Sequence, residues 1–344
     1  MIGKYELTSV VDNRFHYLLD GKIKVNYVDA KSLISENRID ICVKYQYLNA
    51  IINEWDSIDY YRDMYKSTIY YFSDGVFYEP GESNKKSFDD FELEFKNLYS
   101  TIKENGFNES KGYIPLSKNG IPLDGAHRIA VAAILDLTIP VLYLDTEDNI
   151  FDYAFFKKKG AIDIELRSYL QCLYEIDVNL RVAIIWPYCS VDENLISDIY
   201  GESLIAVHEY NLNLNGVRNL CLLSYHNESW AGNERNSWSG IPNKADDCYR
   251  NKPTKVYYFR TNGLNNDTKI KEKVRSLADG SKNNIHSTDT YEETKDITDV
   301  LLSQDGLLFL NSLNIKKVAK IKRAIIDSIN KMNKVIVTSS AVLS

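Results

Sequence analysis

The sequence predicts a mixed chain of helices and strands in two domains, an α+β first domain over residues 1–175 and a second α/β domain over 176–344. Its 344 residues are about twice what one average domain needs. Period-two segments and helical-period segments alternate through both halves, as in folds that lay helices on sheets. A helical stretch over 150–178 separates two blocks, and the second restarts with the apolar run RVAIIWP at 181–187.

Residues 1–30 alternate apolar and polar (YELTSVV, KIKVNYV) and predict short strands around a turn at Asp20-Gly21. From Ser32 to about Phe72 the pattern is helical, with Ile41, Tyr45, Leu48 and Ile52 at helical spacing. SDGVFYEPGESNKK, 73–86, is rich in turn formers and predicts a loop. Phe88, Phe91, Phe95 and Leu98 mark an amphipathic helix, with Ser87 and Asp90 spaced as a capping box. YIPLS (113–117), Lys118-Asn119-Gly120 and IPL (121–123) predict a hairpin, because Asn-Gly readily takes positive φ. A helix over 126–135 and the strand TIPVLYLD (138–145) complete a strand–turn–strand–helix–strand unit. The second half is mixed and is expected to close with a helix over 315–332 and the strand KVIVTSS.

Lys+Arg 41 against Asp+Glu 48 gives a net charge of −7, which argues against coating nucleic acid through bulk charge. The five cysteines, Cys42, Cys172, Cys189, Cys221 and Cys248, include no CxxC pair. That argues against a disulfide framework or a thiolate zinc site and for a reducing compartment. MIGKYELTSV lacks an apolar signal core, and no apolar run approaches the ~18 residues of a spanning helix. A cytoplasmic chain without membrane insertion is expected.

The stretch IPLDGAHRIAVAAIL, 121–135, sets Asp124, Gly125, Ala126, His127 and Arg128 where a strand hands over to a helix. A helix N-terminus presents unpaired N–H groups and a positive dipole end, and so binds anions. Gly125 allows close backbone approach, Arg128 can fork onto phosphate oxygens, and His127 can donate to one or move a proton. Asp124 repels phosphate. It can cap the helix, pair with Arg128, bind a metal or act as base on a hydroxyl.

FDDFELEFKNLYSTIKENGF followed by YIPLSKNGIPLDGAHRIAVAAILDLTIPVLYL resembles the core of the ParB/sulfiredoxin superfamily. The resemblance covers residues 85–145. Sulfiredoxins carry a cysteine where this chain has Ala126, so their thiol chemistry is not expected. The D-G-x-H-R form is most similar to ParB-like free-serine kinases. The resemblance implies a ParB/sulfiredoxin-like first domain that binds a nucleoside triphosphate, ATP first, with phosphate contacts from Gly125, Ala126, His127 and Arg128. It implies a small hydroxyl-bearing acceptor, with Asp124 near the reacting hydroxyl or holding Mg²⁺. Serine kinases also use an acid from an N-terminal region, for which Glu79 and Glu82 are the candidates. The alternatives are a ParB-type DNA-binding or nuclease protein, and a nucleotide-binding regulatory module without turnover.

Arg38, Asp40 and Lys44 lie close together, either as a solvated pair of Asp40 and Lys44 on one helix face or as cations facing the same cleft as the box. In the second half, SYHNESWAGNERNSWSGIPNKADDCY (224–249) gathers Trp230, Asn233, Arg235 and Lys244 in a loop suited to sugar or base stacking. IHSTDTYEET (285–294) sets His286 and Asp289 ahead of a helix that Thr288 or Asp289 caps. Lys269, Lys271, Lys273 and Arg275 form a basic helix expected to be a solvated face. The pattern around IHSTDTYEET and LLFLN also resembles uncharacterised proteins encoded with bacterial capsule and lipopolysaccharide genes. That resemblance implies a sugar or polyol acceptor and a second domain that continues beyond this chain.

Overall fold

The computed structural model describes residues 2–3, 8, 11–19, 22–78, 85–303 and 305–312. The Asp20-Gly21 turn, Glu79, Glu82 and the expected final helix and strand lie outside them. The chain divides between Leu173 and Tyr174 into two compact units.

In the first unit, β1 (Ile2–Gly3) pairs antiparallel with β2 (Lys22–Ile23), and β3 (Val25–Asp29) follows. The single helical pattern over 32–72 is two helices, α1 (Ile39–Ile52) and α2 (Ile58–Phe72), separated where Glu54 takes a φ of 50°. The next helix, α3 (Phe88–Asn105), opens on the expected capping box. Ser87 accepts from the Asp90 N–H and the Asp90 carboxylate accepts from the Ser87 N–H.

After α3 come β4 (Ile114–Leu116), α4 (Ala126–Ile134) and β5 (Thr138–Tyr143). They form a three-stranded sheet in the order β3-β5-β4. In it β3 runs antiparallel to β5 with Val25 opposite Leu142, and β4 runs parallel with Ile114 beside Val141. The expected hairpin is reduced to a single bridge between Leu116 and Pro122, because Pro122 has no N–H with which to extend a ladder. The turn itself forms, with Gly120 at φ 85° and its N–H on the Ser117 carbonyl at 3.0 Å. The parallel pairing makes β4–α4–β5 a crossover unit. The start of α4 therefore emerges at the C-terminal end of β4, the edge where α/β sheets present ligand sites. Ala130, Ala132 and Ala133 are buried, and these small side chains let α1 pack closely on α4. The stretch over 150–178 is two helices, α5 (Tyr153–Lys158) and α6 (Asp163–Ile176).

The second unit is built on an antiparallel four-stranded sheet in the order β7-β8-β6-β9, from β6 (Leu180–Ile185), β7 (Leu204–Tyr210), β8 (Thr254–Arg260) and β9 (Ile285–Ser287). Ile196 and Tyr200 of α7 (Glu193–Tyr200) and Val274 of α10 (Leu264–Leu277) pack with Ala183, Tyr257, Phe259 and Ile285 of the sheet in one core. Helices α8 (Leu214–Tyr225), α9 (Ile241–Cys248), α11 (Tyr291–Leu301) and α12 (Gly306–Ser312) pack on one another, with α11 against β6. No helix among the described residues is long and apolar enough to cross a membrane. All five cysteines are free thiols.

Candidate functional site: two cavities of opposite charge

A cavity of about 510 Å³ lies over the start of α4 and is lined by Asp124, Gly125, Ala126, His127 and Arg128 together with Arg38, Asp40, Lys44, Arg14 and Lys85. The local sequence dictates this shape. Gly125 is the N-cap residue at φ 81°, and no side chain caps the helix. A Cβ at Gly125 would meet Ile114 Cδ1 at 2.5 Å and an Arg128 guanidinium nitrogen at 3.2 Å. Only glycine both takes this backbone conformation and lets Arg128 fold back over the start of its own helix. Arg128 donates from there to the Gly112 carbonyl at 2.9 Å. Burial lowers its pKa while Asp124 and Asp12 oppose the shift, and a guanidinium stays charged throughout.

Asp124 does not cap the helix. Its carboxylate lies 3.5 Å from the Arg14 guanidinium, and both side chains are partly exposed. His127 packs edge-on against Tyr65 and Phe95, and its Nε2 shares a 2.8 Å hydrogen bond with the Tyr65 hydroxyl. Burial, then the charges of Lys44 and Lys85, hold its pKa well below the ordinary value, so the ring is neutral at pH 7. One ring nitrogen of His127 is thus engaged with the core, while the residue still lines the cavity.

The Arg38, Asp40 and Lys44 cluster is not a solvated pair. All three are almost fully buried. Arg38 donates to both Asp40 oxygens at 2.8 and 3.0 Å, and Lys44 donates to Asp40 Oδ2 at 3.2 Å. Arg38 also donates to the carbonyl of Pro122, two residues before Asp124, and its guanidinium lies 4.9 Å over the Phe151 ring. Burial disfavours the Asp40 carboxylate, but the adjacent Arg38 and Lys44 prevail and hold its carboxyl well below the usual range. One carboxylate thus serves two cations. Lys85, with its side chain 3.0 Å from Glu94, and Arg14 add two more positive groups to the wall. Neither Arg14 nor the Tyr65 partner of His127 carries a local sequence signal, because both reach the box only through the fold. Among the described residues no group of three or more His, Cys, Asp or Glu side chains is arranged to hold a metal ion, and Asp124 stands as the sole carboxylate at the mouth not buried with two cations.

The second unit has a larger cavity, of about 1020 Å³, lined by Trp230, Lys244, His286 and Asp289. Asn233 and Arg235 are not among its walls. Asn233 instead caps the turn over 234–236, and Arg235 is exposed on that turn. Lys271 and Arg275, one helical turn apart on α10, face this cavity rather than open solvent. The cap of α11 is Thr290, which accepts from the Glu293 N–H, and not Thr288 or Asp289. Glu293 accepts from His286 Nε2 at 2.8 Å and from the Asp289 N–H at 2.9 Å. Burial raises the Glu293 pKa, but His286 and Lys271 outweigh it and the net shift is downward.

Comparison with known proteins returns no match to a family model, a curated protein or a solved structure.

Proposed function

We propose that the first unit binds the phosphates of a nucleoside triphosphate, ATP first, at the DGAHR box and transfers a phosphoryl group to a small hydroxyl compound, a sugar or polyol. The observation that carries this reading is the set of five cations, Arg14, Arg38, Lys44, Lys85 and Arg128, around an uncapped helix start at the end of a parallel strand. Phosphoryl transfer needs charge neutralisation and positioning more than covalent groups, and this cavity is rich in both. The β4–α4–β5 crossover with the glycine turn also supports a ParB/sulfiredoxin-like domain. Mg²⁺ bound with a nucleotide typically takes only one or two protein carboxylates, and Asp124 is suited to meet it. It is also the candidate base for the acceptor hydroxyl.

Nucleotide binding without turnover is the second reading, and one observation favours it. His127 Nε2 is tied to Tyr65, and both Asp40 oxygens are tied to cations, so among the described carboxylates of the cavity wall Asp124 is the one left for proton transfer. Asp124→Asn separates the two. It removes a negative charge from the mouth while Arg14 keeps its contact with Asp12 at 2.9 Å, so ATP should bind as well or better. Phosphotransfer, read by mass spectrometry over a panel of sugars and polyols, should fall by about two orders of magnitude or more. Turnover unchanged in the variant defeats the role of Asp124, and ATP binding with no product from wild type favours the regulatory reading.

A further inference from the structure

We propose that the cavity of the second unit is a carbohydrate site that takes a neutral, hydroxyl-rich saccharide, stacked on Trp230 and held by carboxylates. The inference stands apart from the phosphate reading of the first unit.

The first argument is the platform. Trp230 is 45% exposed yet lines the cavity, and its ring is braced at 5.3 Å against Tyr225. The loop that carries it is anchored rather than loose. Trp238 is buried and donates from Nε1 to the His226 carbonyl at 3.3 Å. At Gly240 an added Cβ would lie 2.2 Å from the Trp230 carbonyl oxygen, so this glycine lets the two backbone segments close on each other. An indole held half-bare on a fixed loop offers a flat apolar face to the C–H side of a pyranose ring.

The second argument is the pairing of charge. Lys271 is bound to Asp289 at 3.1 Å and to the Ser287 carbonyl at 3.3 Å. Arg275 is bound to Glu272 at 2.5 Å. Lys244 donates to Asn283 at 2.6 Å and to the Lys282 carbonyl at 3.0 Å. These cations are already engaged. Glu228, Asp247 and Glu292 line the same space and form no ion pair among the described residues. Lys282 is the fourth cation of the wall, and with seven carboxylates against four cations the cavity disfavours phosphate and accepts hydrogen bonds from donors. Hydroxyl groups supply such donors without the desolvation cost of a full charge. At about 1020 Å³ the space is at the upper end of the range for small-molecule sites, which is roughly 300–1,000 Å³, so it has room for more than one sugar ring.

The test is titration calorimetry of the full chain with a panel of neutral mono- and disaccharides built on glucose, galactose, mannose and N-acetylglucosamine, with spermidine as a cationic control. At least one saccharide should bind, and Trp230→Ala should weaken it about tenfold or more while Trp230→Phe retains most of the affinity. Because Trp230 is half-bare, the thermal transition of the alanine variant should match wild type, which excludes misfolding. Glu292→Gln should weaken saccharide binding severalfold. An ATP titration on the same samples reads the first unit separately and should be unchanged by Trp230→Ala. The proposal is overturned if no saccharide binds, if Trp230→Ala binds as wild type does, or if spermidine binds and the saccharides do not.

Discussion

The two cavities are built from similar parts and differ in which sign of charge predominates in their walls. Each lies where a strand ends beside the start of a helix, and each is walled by helices that carry basic residues. In the first unit five cations, Arg14, Arg38, Lys44, Lys85 and Arg128, line the cavity against two carboxylates, Asp40 and Asp124. In the second, Lys271 and Arg275 are each paired with an acid, and Glu228, Asp247 and Glu292 leave a negative surplus. The lesson is that the net charge of −7 does not describe either site. The groups that line each cavity decide what it attracts.

The largest effect that can break this contrast is at Asp40. Asp40→Ala leaves two buried cations without their shared carboxylate, a class of change that costs about 3–5 kcal/mol. Chemical denaturation should therefore show a strong loss in the transition of the first unit, with the saccharide response of the second intact. The same group sets an acid limit. The folded pKa of Asp40 lies below its ordinary value, so its contribution to stability is present above the usual carboxylate range and is lost as pH falls below it. A mild effect of Asp40→Ala would show that Arg38 and Lys44 do not depend on it.

Next in size is Gly125→Ala. The positive φ and the contact with Ile114 should together cost about 1–3 kcal/mol, read in the same denaturation experiment. A neutral result would mean that the helix start adapts, and that glycine is kept there for a ligand alone.

The smallest effect is a pH dependence. Folding depresses the His127 pKa, so stability is full above the ordinary imidazole value and declines as pH drops below it. Between about pH 5 and 7 the stability of wild type should fall more steeply than that of His127→Gln. Equal slopes would show that the ring titrates as freely in the folded chain as in the unfolded one.

Features set by neighbours in the chain were legible in the sequence. Ser87 and Asp90 are three residues apart and form the capping box expected of them. The box at 124–128 falls at a strand-to-helix junction because apolar periodicity changes there from two to 3.6. Features set by long-range packing were not legible. Spacing brought Asp40 and Lys44 onto one face, but only the packing of α1 against α4 buries them under the box. The bond from His127 to Tyr65 spans 62 residues, and Arg14 meets Asp124 from the N-terminal segment. No local pattern encodes either contact. Likewise the basic helix with Lys271 and Arg275 reads as a solvated face until the link between β9 and α11 brings Asp289 to Lys271. Asn233 had the composition of a binding residue and the geometry of a cap.

The most direct test of the central claim is titration of ATP into the full chain, comparing wild type with Arg128→Ala and Trp230→Ala. Loss of a charge-assisted contact from Arg128 should weaken ATP by roughly ten- to a hundredfold. Raising the salt concentration should weaken the wild-type complex as well, and Trp230→Ala should leave both results unchanged. ATP that fails to bind wild type, or that binds all three proteins equally, would contradict the assignment of the cation-rich cavity to phosphate.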